Sequence, residues 1–292
     1  MLTQANIKNN QNMGKNNVHM LTRDLIISDK EFNLFKSLIY DKAGITLASN
    51  KRTLVVSRLS KRMRQLQISS FAEYYGLVTR KNNSGELQKT IDFLTTNETY
   101  FFREEKHFDY LKSSILNKKS SSSDFKIWSA ASSTGEEAYS IAMVLAEKYG
   151  LRGSWKILGT DINSDVVKQA KRGLYPLIVS EKILRSYLRE YCLKGVREQT
   201  GMMLMNDRLK NHVDFELLNI NADWPGHIND FDVVFLRNIM IYFDLETKQR
   251  LVNKIADKIK MGGYLFIGHS ETLNKVSDRF KIIQPSICKK IK

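Results

Sequence analysis

The chain has 292 residues, 42% of them hydrophobic, which is enough for one large domain or two ordinary domains with buried cores. Its 46 Lys and Arg residues outnumber 31 Asp and Glu residues, so the formal net charge is +15 and anionic partners are expected. No apolar run approaches the roughly 18 residues of a membrane span, and the polar, Asn-rich N-terminus lacks a signal-peptide pattern. We therefore expect a cytoplasmic protein without membrane insertion.

Cysteine and histidine are sparse in the sequence. The two cysteines, Cys192 and Cys288, stand in unrelated contexts, which predicts free thiols in a protein without an export signal. The five histidines show neither i, i+4 pairing nor a Cys/His cluster, so we predict no metal site.

The N-terminal third has no strand pattern. Residues 1–20 are rich in Asn and poor in apolar residues, which predicts a flexible tail. Over residues 21–93 apolar residues recur at helical spacing, which predicts an all-helical domain. Ser28 or Asp29 can cap its first helix, and Gly44 can end that helix.

One helix of this domain is predicted to carry a basic face. Its cationic residues, with no acidic residue among them, are Lys51, Arg52, Arg58, Lys61, Arg62 and Arg64. The apolar residues Val55, Leu59 and Met63 point the opposite way, as in an amphipathic helix. A solvated charged surface is the usual explanation of such a run, and an acidic binding partner is the alternative.

Residues 94–292 are predicted to form a second domain, in which strands and helices alternate from Phe125 onward, after a polar surface loop expected at Ser120–Ser123. Strands are expected near 125–130, 155–160, 213–218, 231–236 and 263–268, and helices at 136–149, 163–172 and 246–260. The alternation predicts a doubly wound α/β fold, a parallel sheet with helices on both faces. Phe280–Ile291, interrupted by Pro285, predicts a closing antiparallel pair, and the segment of about 173–212 fits neither period and predicts an inserted subdomain.

The first strand ends in a small-residue turn that opens a helix, which is where doubly wound domains hold nucleotide-like ligands. The turn around Gly135 lacks the Gly-x-Gly-x-x-Gly spacing, and Glu136 and Glu137 would oppose a pyrophosphate. Asp161, at the end of the next strand, suits ribose hydroxyls. The pattern favours a nucleoside without phosphates, and S-adenosylmethionine fits it better than NAD or ATP.

Two asparagines follow later strands of the predicted sheet. Asn219 and Asn238 would converge with Gly135 and Asp161, because the carboxyl ends of parallel strands line a single crevice. An Asn side chain can bind an adenine edge or an amino-acid carboxylate. The alternative is that each is a turn residue that bonds to the local backbone.

Four segments resemble the CheR family of chemotaxis receptor glutamate methyltransferases: Leu94–Arg103, Ile127–Ser140, Arg237–Phe243 and Gly268–Glu271. The resemblance runs from about Phe32 to the C-terminus. Ala138 and Met261 stand where the family usually has proline, and Leu236 where it often has cysteine, but none of these is a predicted polar contact.

The resemblance implies a helical N-terminal domain, a Rossmann-like class I methyltransferase domain and a small inserted antiparallel β-subdomain. It implies an enzyme that transfers a methyl group from S-adenosylmethionine to glutamate side chains on the signalling helices of chemoreceptors. The products are S-adenosylhomocysteine and glutamate methyl esters that serve sensory adaptation. Such an enzyme would be recruited to membrane receptor clusters.

The resemblance also implies roles for individual residues. The cofactor would contact Asn97, Thr99, Arg103, Glu137, Asp161, Asn219, Ile220, Asn238 and Ile239. Arg103 would bind the methionine carboxylate. As catalytic residues, Tyr242 and Arg237 would position the incoming carboxylate, with the alternative that Arg237 pairs with Glu137.

Receptor binding is implied at two places. The basic residues Lys51, Arg52, Arg58 and Arg62 would bind the acidic receptor helix. In some members of the family the β-subdomain adds a receptor tail peptide to its edge strand.

Two rival functions come from the residues. The net charge of +15 suggests a nucleic-acid methyltransferase, but the Asn/Asp-Pro-Pro-aromatic motif and base-stacking aromatics among the basic residues are missing, so we expect no nucleic-acid partner. The second rival is a non-catalytic module that keeps the cofactor pocket as a sensor.

Overall fold

The computed structural model of the chain describes residues 25–118 and 124–292. The tail expected at 1–20 and the loop expected at Ser120–Ser123 lie outside these residues. The chain divides into two compact units, the first ending at Leu94 and the second spanning Thr95–Lys292. Among the described residues, no helix is long and apolar enough to cross a membrane.

The first unit is helical, with α1 (Asp29–Ala43), α2 (Arg52–Gln65), α3 (Phe71–Val78) and α4 (Ser84–Leu94). Helix α1 begins with a capping box: the Ser28 hydroxyl accepts from the Glu31 backbone N–H at 3.3 Å, and the Glu31 carboxylate accepts from the Ser28 N–H at 2.9 Å. It ends at Gly44, which is left-handed with φ 73°. Both predicted caps are confirmed.

The core of the first unit is aromatic. Phe35 is fully buried, stacks on Tyr74 and meets the edge of Phe71, with ring centroids 6.1 Å apart in each pair. The Tyr74 hydroxyl donates to the Glu86 carboxylate at 3.0 Å. Helix α2 buries its predicted apolar stripe, Val55, Leu59 and Met63, completely, so the predicted amphipathic helix is confirmed.

The second unit alternates strands and helices. Its strands are β1 (Phe125–Ser129), β2 (Trp155–Asp161), β3 (Leu174–Pro176), β4 (Cys192–Lys194), β5 (Met202–Met205), β6 (Val213–Leu217), β7 (Phe231–Leu236), β8 (Ile259–Ile267), β9 (Phe280–Gln284) and β10 (Ile287–Lys290). Its α-helices are α5 (Lys106–Tyr110), α6 (Glu136–Tyr149), α7 (Ser164–Arg172), α8 (Arg185–Tyr191), α9 (Asp207–Lys210) and α10 (Leu245–Lys258). A single 3₁₀ turn at Met240–Tyr242 follows β7.

The main sheet has the order β6-β2-β1-β7-β8-β10-β9, and β6, β2, β1, β7 and β8 are parallel. All six residues of β7 are buried, as expected for a strand covered on both faces. The chain builds outward from β1 through β2 to β6 and then returns to place β7 on the other side of β1. The strand order therefore reverses between β1 and β7, and a crevice opens at their carboxyl ends. The predicted doubly wound fold is confirmed.

A second sheet of three antiparallel strands, in the order β3-β5-β4, lies within the segment 173–212. This confirms the predicted antiparallel β-subdomain. In β5, Met203 and Met205 are buried, while Met202 and Leu204 are only partly buried, so alternate residues of the strand, both methionines, fill the core.

The C-terminal strands differ from expectation in one respect. Strands β9 and β10 form the predicted antiparallel pair. Strand β8, however, begins at Ile259 rather than near 263, so α10 ends at Lys258 rather than 260. The buried Lys290 ammonium donates to the Ala256 carbonyl in the last turn of α10 at 2.6 Å and to the Ile259 carbonyl at the start of β8 at 2.8 Å, so a cation stabilises this helix end.

Both cysteines are free, as predicted. Burial raises the pKa of the Cys192 thiol to about 12 and that of Cys288 to about 11. Neither thiol is therefore in its reactive thiolate form near neutral pH.

Candidate active site

The turn between β1 and α6 depends on Gly135. This residue has φ 98°, a conformation that residues with a Cβ atom rarely adopt. A Cβ atom there would lie 2.9 Å from Ala170 Cβ, 3.0 Å from the Tyr175 hydroxyl oxygen and 3.1 Å from Phe215 Cζ. The backbone of the turn therefore packs directly against its surroundings, and only glycine fits.

Asp161 ties the end of β2 to this turn. Its carboxylate accepts from the Ser133 backbone N–H and from the Asn163 backbone N–H, both at 2.9 Å. The Ser133 hydroxyl donates to the Asn97 carbonyl at 2.8 Å, which brings the segment after α4 to the same place. A carboxylate has about four lone-pair sites, so one carboxylate at this strand end can accept from several donors at once.

Arg237, at the end of β7, is the centre of a buried ion network. Its side chain is only 1% exposed, and its guanidinium lies 2.9 Å from the Glu137 carboxylate and 3.0 Å from the Glu104 carboxylate. It also donates to the Arg103 carbonyl at 2.5 Å. The Ser129 hydroxyl donates to the other oxygen of Glu137 at 2.6 Å. The predicted alternative, that Arg237 pairs with Glu137, is confirmed.

Glu104 and His107 both have lowered pKa values in this network, but the carboxylate is charged as a result and the imidazole is neutral. Burial alone would raise the pKa of Glu104, but the Arg237 charge and hydrogen bonds from the His269 N–H and Asn238 outweigh it and lower that pKa. Burial, reinforced by the Arg237 charge, lowers the pKa of His107 to about 3. His107 is therefore neutral near pH 7, while Glu104 is ionised.

Among the described residues, Glu104, His107 and His269 form one group whose potential metal ligand atoms lie within 4.8 Å of one another. The sequence did not predict this group. Glu104 Oε2 lies 3.5 Å from His107 Nδ1 and 3.8 Å from His269 Nε2. However, Arg237 Nη2 lies 3.0 Å from the same carboxylate oxygen, and its charge opposes a divalent cation there.

Glu271 holds the segment that follows β7. One carboxylate oxygen accepts from the Asn238 N–H at 3.0 Å and the Gly268 N–H at 2.6 Å, and the other accepts from the Met240 N–H at 2.8 Å. Burial raises the pKa of Glu271, and these backbone donors oppose that rise. Asn238 itself is left-handed, with φ 58°, and its side-chain amide donates to Glu104 at 3.3 Å.

Left-handed backbone recurs around this site. Besides Gly135, the non-glycine residues Phe102, Glu104, Ser133 and Asn238 have φ between 50° and 59°. Two of them flank Arg103, which carries a predicted cofactor contact. Backbone held in such conformations is a recurrent feature of functional sites.

The remaining predicted site residues are less closely connected. Asn219 accepts from the Asn221 N–H at 3.0 Å, the local bond that the structural alternative expected. The end of β6 is still joined to the site, because the N–H of Leu218, directly after β6, donates to the Asp161 carbonyl at 2.8 Å. Arg103 lies 5.8 Å over the Tyr100 ring.

Four predicted side chains show no polar side-chain contact with the rest of the described site. Ile220 is buried, and Thr99, Ile239 and Tyr242 are partly buried. No described residue accepts a hydrogen bond from the Tyr242 hydroxyl or donates one to it. That hydroxyl therefore remains available to a ligand.

The four residues predicted to bind substrate all lie in the first unit. Arg52 pairs with Asp29 and lies 5.5 Å over the Phe32 ring, while Lys51 is exposed. Arg58 donates to the carbonyls of residues 93 and 94 at 3.3 and 3.1 Å. These contacts give the two arginines partners within their own unit.

Arg62 has the strongest internal partner of the basic residues. It forms a bidentate pair with Glu86 at 2.9 and 2.7 Å, with side chains only 18% and 7% exposed. The Arg62 hydrogen bond is the main reason that the pKa of Glu86 is lowered. The exposed cationic residues of this helix region are instead Lys51, Lys61 and Arg64.

Sequence reasoning assigned no role to three residues that build the site. Glu104 pairs with Arg237, Glu271 holds the Asn238 segment, and the Tyr175 hydroxyl donates to the Thr134 carbonyl at 2.7 Å. Glu271 lies in a segment that carried the family resemblance, and this was the one available signal. The partners are distant in the chain, so local patterns could not reveal the contacts.

The charges of the site indicate the class of ligand that fits. Glu137 is paired with Arg237 at the start of α6, and burial raises the pKa of the neighbouring Glu136, although a bond from Thr134 opposes this. Two glutamates at this helix start leave no favourable place for a phosphate. Asp161 offers acceptors for hydroxyl groups. The residues present thus fit a ribose-bearing ligand without phosphate groups.

Comparison with known proteins gives the family. The protein-family model of the CheR methyltransferase SAM-binding domain matches residues 97–288, and the family model of the CheR methyltransferase all-alpha domain matches residues 30–95. Chemotaxis protein methyltransferases of Escherichia coli and Borreliella burgdorferi are 39% and 36% identical to the chain. These alignments cover 90% and 96% of this chain and 91% and 99% of the relatives. The chain therefore belongs to the CheR methyltransferase family, whose methyl donor is S-adenosylmethionine.

Proposed function

We propose that the enzyme transfers a methyl group from S-adenosylmethionine to glutamate side chains on the cytoplasmic helices of chemoreceptors, as part of sensory adaptation. The observation that carries this proposal is the site at the carboxyl ends of β1, β2 and β7, which is lined by carboxylates and disfavours a phosphate, in a chain of the CheR family. The relatives' name, chemotaxis protein methyltransferase, supports the substrate class.

Glutamate needs no general base for this reaction. With an ordinary pKa near 4.3, a glutamate side chain is already an anionic nucleophile at neutral pH. S-adenosylmethionine would supply the methyl group to its oxygen, and the electrons of the broken carbon–sulfur bond would stay with sulfur in the departing neutral thioether. The protein must align the carboxylate with the methyl group and exclude water, and such alignment can contribute several kcal/mol.

The site residues divide this work among them. Asp161 accepts from the ribose hydroxyls in addition to its backbone donors. Arg103 binds the methionine carboxylate, and Asn97, Thr99, Glu137, Asn219, Ile220, Asn238 and Ile239 line the remainder. Tyr242, whose hydroxyl is free for a ligand, positions the incoming carboxylate. The buried Arg237 holds Glu137 and the backbone carbonyl of Arg103, two of the proposed cofactor contacts.

The proposed reaction is tested by label transfer from methyl-labelled S-adenosylmethionine. The purified protein is incubated with membranes that carry chemoreceptors and, separately, with RNA and with DNA. We expect label in the receptor only, released as methanol by mild alkali, because carboxyl methyl esters are base-labile and methylated amines are not. Label in nucleic acid would favour the nucleic-acid rival. Donor binding without label in any arm would favour the sensor.

We propose that the receptor helix is held by the exposed part of the basic face. The glutamate-rich surface of the receptor helix is complementary to the cations at and beside α2. Because Arg58 and Arg62 have internal partners, the proposal rests chiefly on Lys51, Lys61 and Arg64, with Arg52 at the edge. This binding would recruit the enzyme to membrane receptor clusters.

The basic-face proposal is tested by reversing Lys51, Lys61 and Arg64 to Glu. We expect a higher KM for receptor with a weaker salt dependence, and unchanged affinity for S-adenosylhomocysteine. Reversal of three exposed lysines of the second unit, Lys171, Lys275 and Lys281, to Glu is the control with the same change in net charge. Equal effects of this control and of the reversals at Lys51, Lys61 and Arg64 on receptor KM would contradict the proposal.

We also propose that an extended receptor tail peptide pairs with an edge of the β3-β5-β4 sheet. Leu193 in β4 and Val196 beyond it are 51% and 69% exposed, which offers apolar contacts beside an unpaired edge. Titration of receptor tail peptides against the protein tests this, and Leu193→Asp should weaken any binding observed. Peptides that give no binding signal with the unmodified protein would rule out tethering.

A further inference from the structure

The segment from Arg237 to Tyr242 connects β7 to the turn before α10 and carries several proposed site residues. Asn238 within it is left-handed, which costs free energy for a residue with a side chain. The segment is not part of the main sheet, since β7 ends at Leu236. Other contacts must therefore fix its conformation.

Glu271 supplies most of these contacts. Its two oxygens together accept from the backbone N–H groups of Asn238 and Met240 on the segment and of Gly268, directly after β8. A single carboxylate thus joins the two neighbouring strand ends. These backbone donors have no strand partner, so losing the carboxylate would leave several of them unsatisfied at once.

The fit around Glu271 is tight. A Cβ atom on Gly268 would lie 2.6 Å from the Asn238 side-chain nitrogen and 3.0 Å from the nearest Glu271 oxygen. On the other side of the segment, Glu104 accepts from the Asn238 side chain and from the His269 N–H, each at 3.3 Å. Two carboxylates from distant parts of the chain therefore hold Asn238 in place.

We propose that Glu271 is a positioning residue for the methyl-transfer reaction: it fixes the segment 237–242 so that Asn238 faces the cofactor and Tyr242 the incoming carboxylate. This inference rests on the proposed function of the same site. Glu104 supports the segment from the opposite side. Glu271 does not touch the reacting atoms, so its effect passes through the backbone that it holds.

The chemistry of the contact requires a glutamate. A glutamine would direct its NH₂ group at backbone N–H donors in either orientation of the amide, because both carboxylate oxygens accept from such donors. An aspartate keeps the charge and both acceptors but is one methylene shorter, so it reaches fewer of the donors. Glu271→Gln should therefore impair the reaction more than Glu271→Asp does.

The test compares Glu271→Gln and Glu271→Asp with Glu246→Gln, which removes the same charge from an exposed position on α10. We expect Glu271→Gln to lower kcat for receptor about 10- to 100-fold at saturating donor. It should also weaken S-adenosylhomocysteine binding, with Glu271→Asp intermediate and the control unchanged. Circular dichroism below each variant's own melting temperature establishes that the folded state is being compared.

Hydrogen exchange distinguishes positioning from a purely structural role. The amides of residues 238, 240 and 268 should exchange faster in both Glu271 variants, while those of β1 stay protected. If folded Glu271→Asp and Glu271→Gln match the control in kcat, in cofactor affinity and in local exchange, the inference is wrong. A wild-type protein that fails to bind S-adenosylhomocysteine or to methylate receptor would instead refute the proposed function.

Discussion

Gly135→Ala is the substitution whose cost follows most directly from the geometry of the site. An L side chain in left-handed backbone costs about 1–2 kcal/mol. The added methyl group would also lie 2.9 to 3.1 Å from atoms of Ala170, Tyr175 and Phe215, and overpacking of this kind costs about 1–3 kcal/mol more. We therefore expect a loss of about 2–5 kcal/mol of unfolding free energy.

Gly201→Ala is the matched control for Gly135→Ala. Gly201 also has a positive φ, 85°, but no atom lies within 4 Å of its Cβ position, so it should lose only the backbone term of about 1–2 kcal/mol. Urea denaturation followed by tryptophan fluorescence is a suitable assay, because all three tryptophans, Trp128, Trp155 and Trp224, lie in the second unit. Equal losses in the two variants would refute the close-packing argument.

Three further predictions concern Glu86 and Ser28 in the first unit and Tyr242 in the segment that follows β7. Glu86→Gln should destabilise the first unit by about 1–3 kcal/mol near neutral pH, because the half-buried Arg62 loses its ionic partner. Since the pKa of Glu86 is lowered in the folded state, this contribution is present above its ordinary value of 4.5 and is lost as pH falls through the folded value. Urea curves by circular dichroism should show the full deficit at about pH 7 and a decreasing deficit as the pH falls below the ordinary pKa of 4.5, and a deficit that does not change with pH would contradict the pairing. Ser28→Ala should cost about 1 kcal/mol through loss of the capping box, measured in the same way, and no change would mean that the box is dispensable. Tyr242→Phe should lower receptor turnover while cofactor affinity stays the same, and unchanged turnover would remove the hydroxyl from the mechanism.

The basic face of α2 shows where sequence reasoning reaches its limit. The apolar stripe of Val55, Leu59 and Met63 predicted the orientation of the helix correctly, since burial follows the 3.6-residue period. The same pattern treated Arg58 and Arg62 as equivalent to Lys61. In the fold, Arg62 pairs with Glu86, 24 positions away, and only the tertiary structure separates cations with internal partners from exposed ones.

The active site divides in the same way. The turn at Gly135 and the carboxylate at Asp161 could be found from the sequence because each sits at the end of a strand, and strand ends are marked by local composition. The network of Arg237 with Glu104 and Glu137 joins residues 133 and 100 positions apart, and no local pattern records such a pairing. The sequence suggested only the pairing of Arg237 with Glu137, as an alternative to a role of Arg237 in positioning the incoming carboxylate.

The sequence alone determined the elements of this protein: the helix caps, the alternation of strands and helices, and the strand ends that build the crevice. These features depend on periodicity and on turn residues, which act over a few neighbours in the chain. The tertiary structure alone decided that Glu271 joins the ends of β7 and β8 and that Arg237 is buried between two carboxylates. The physical reason is that a buried charge or an unpaired backbone donor must find a partner, and packing determines which distant residue supplies it.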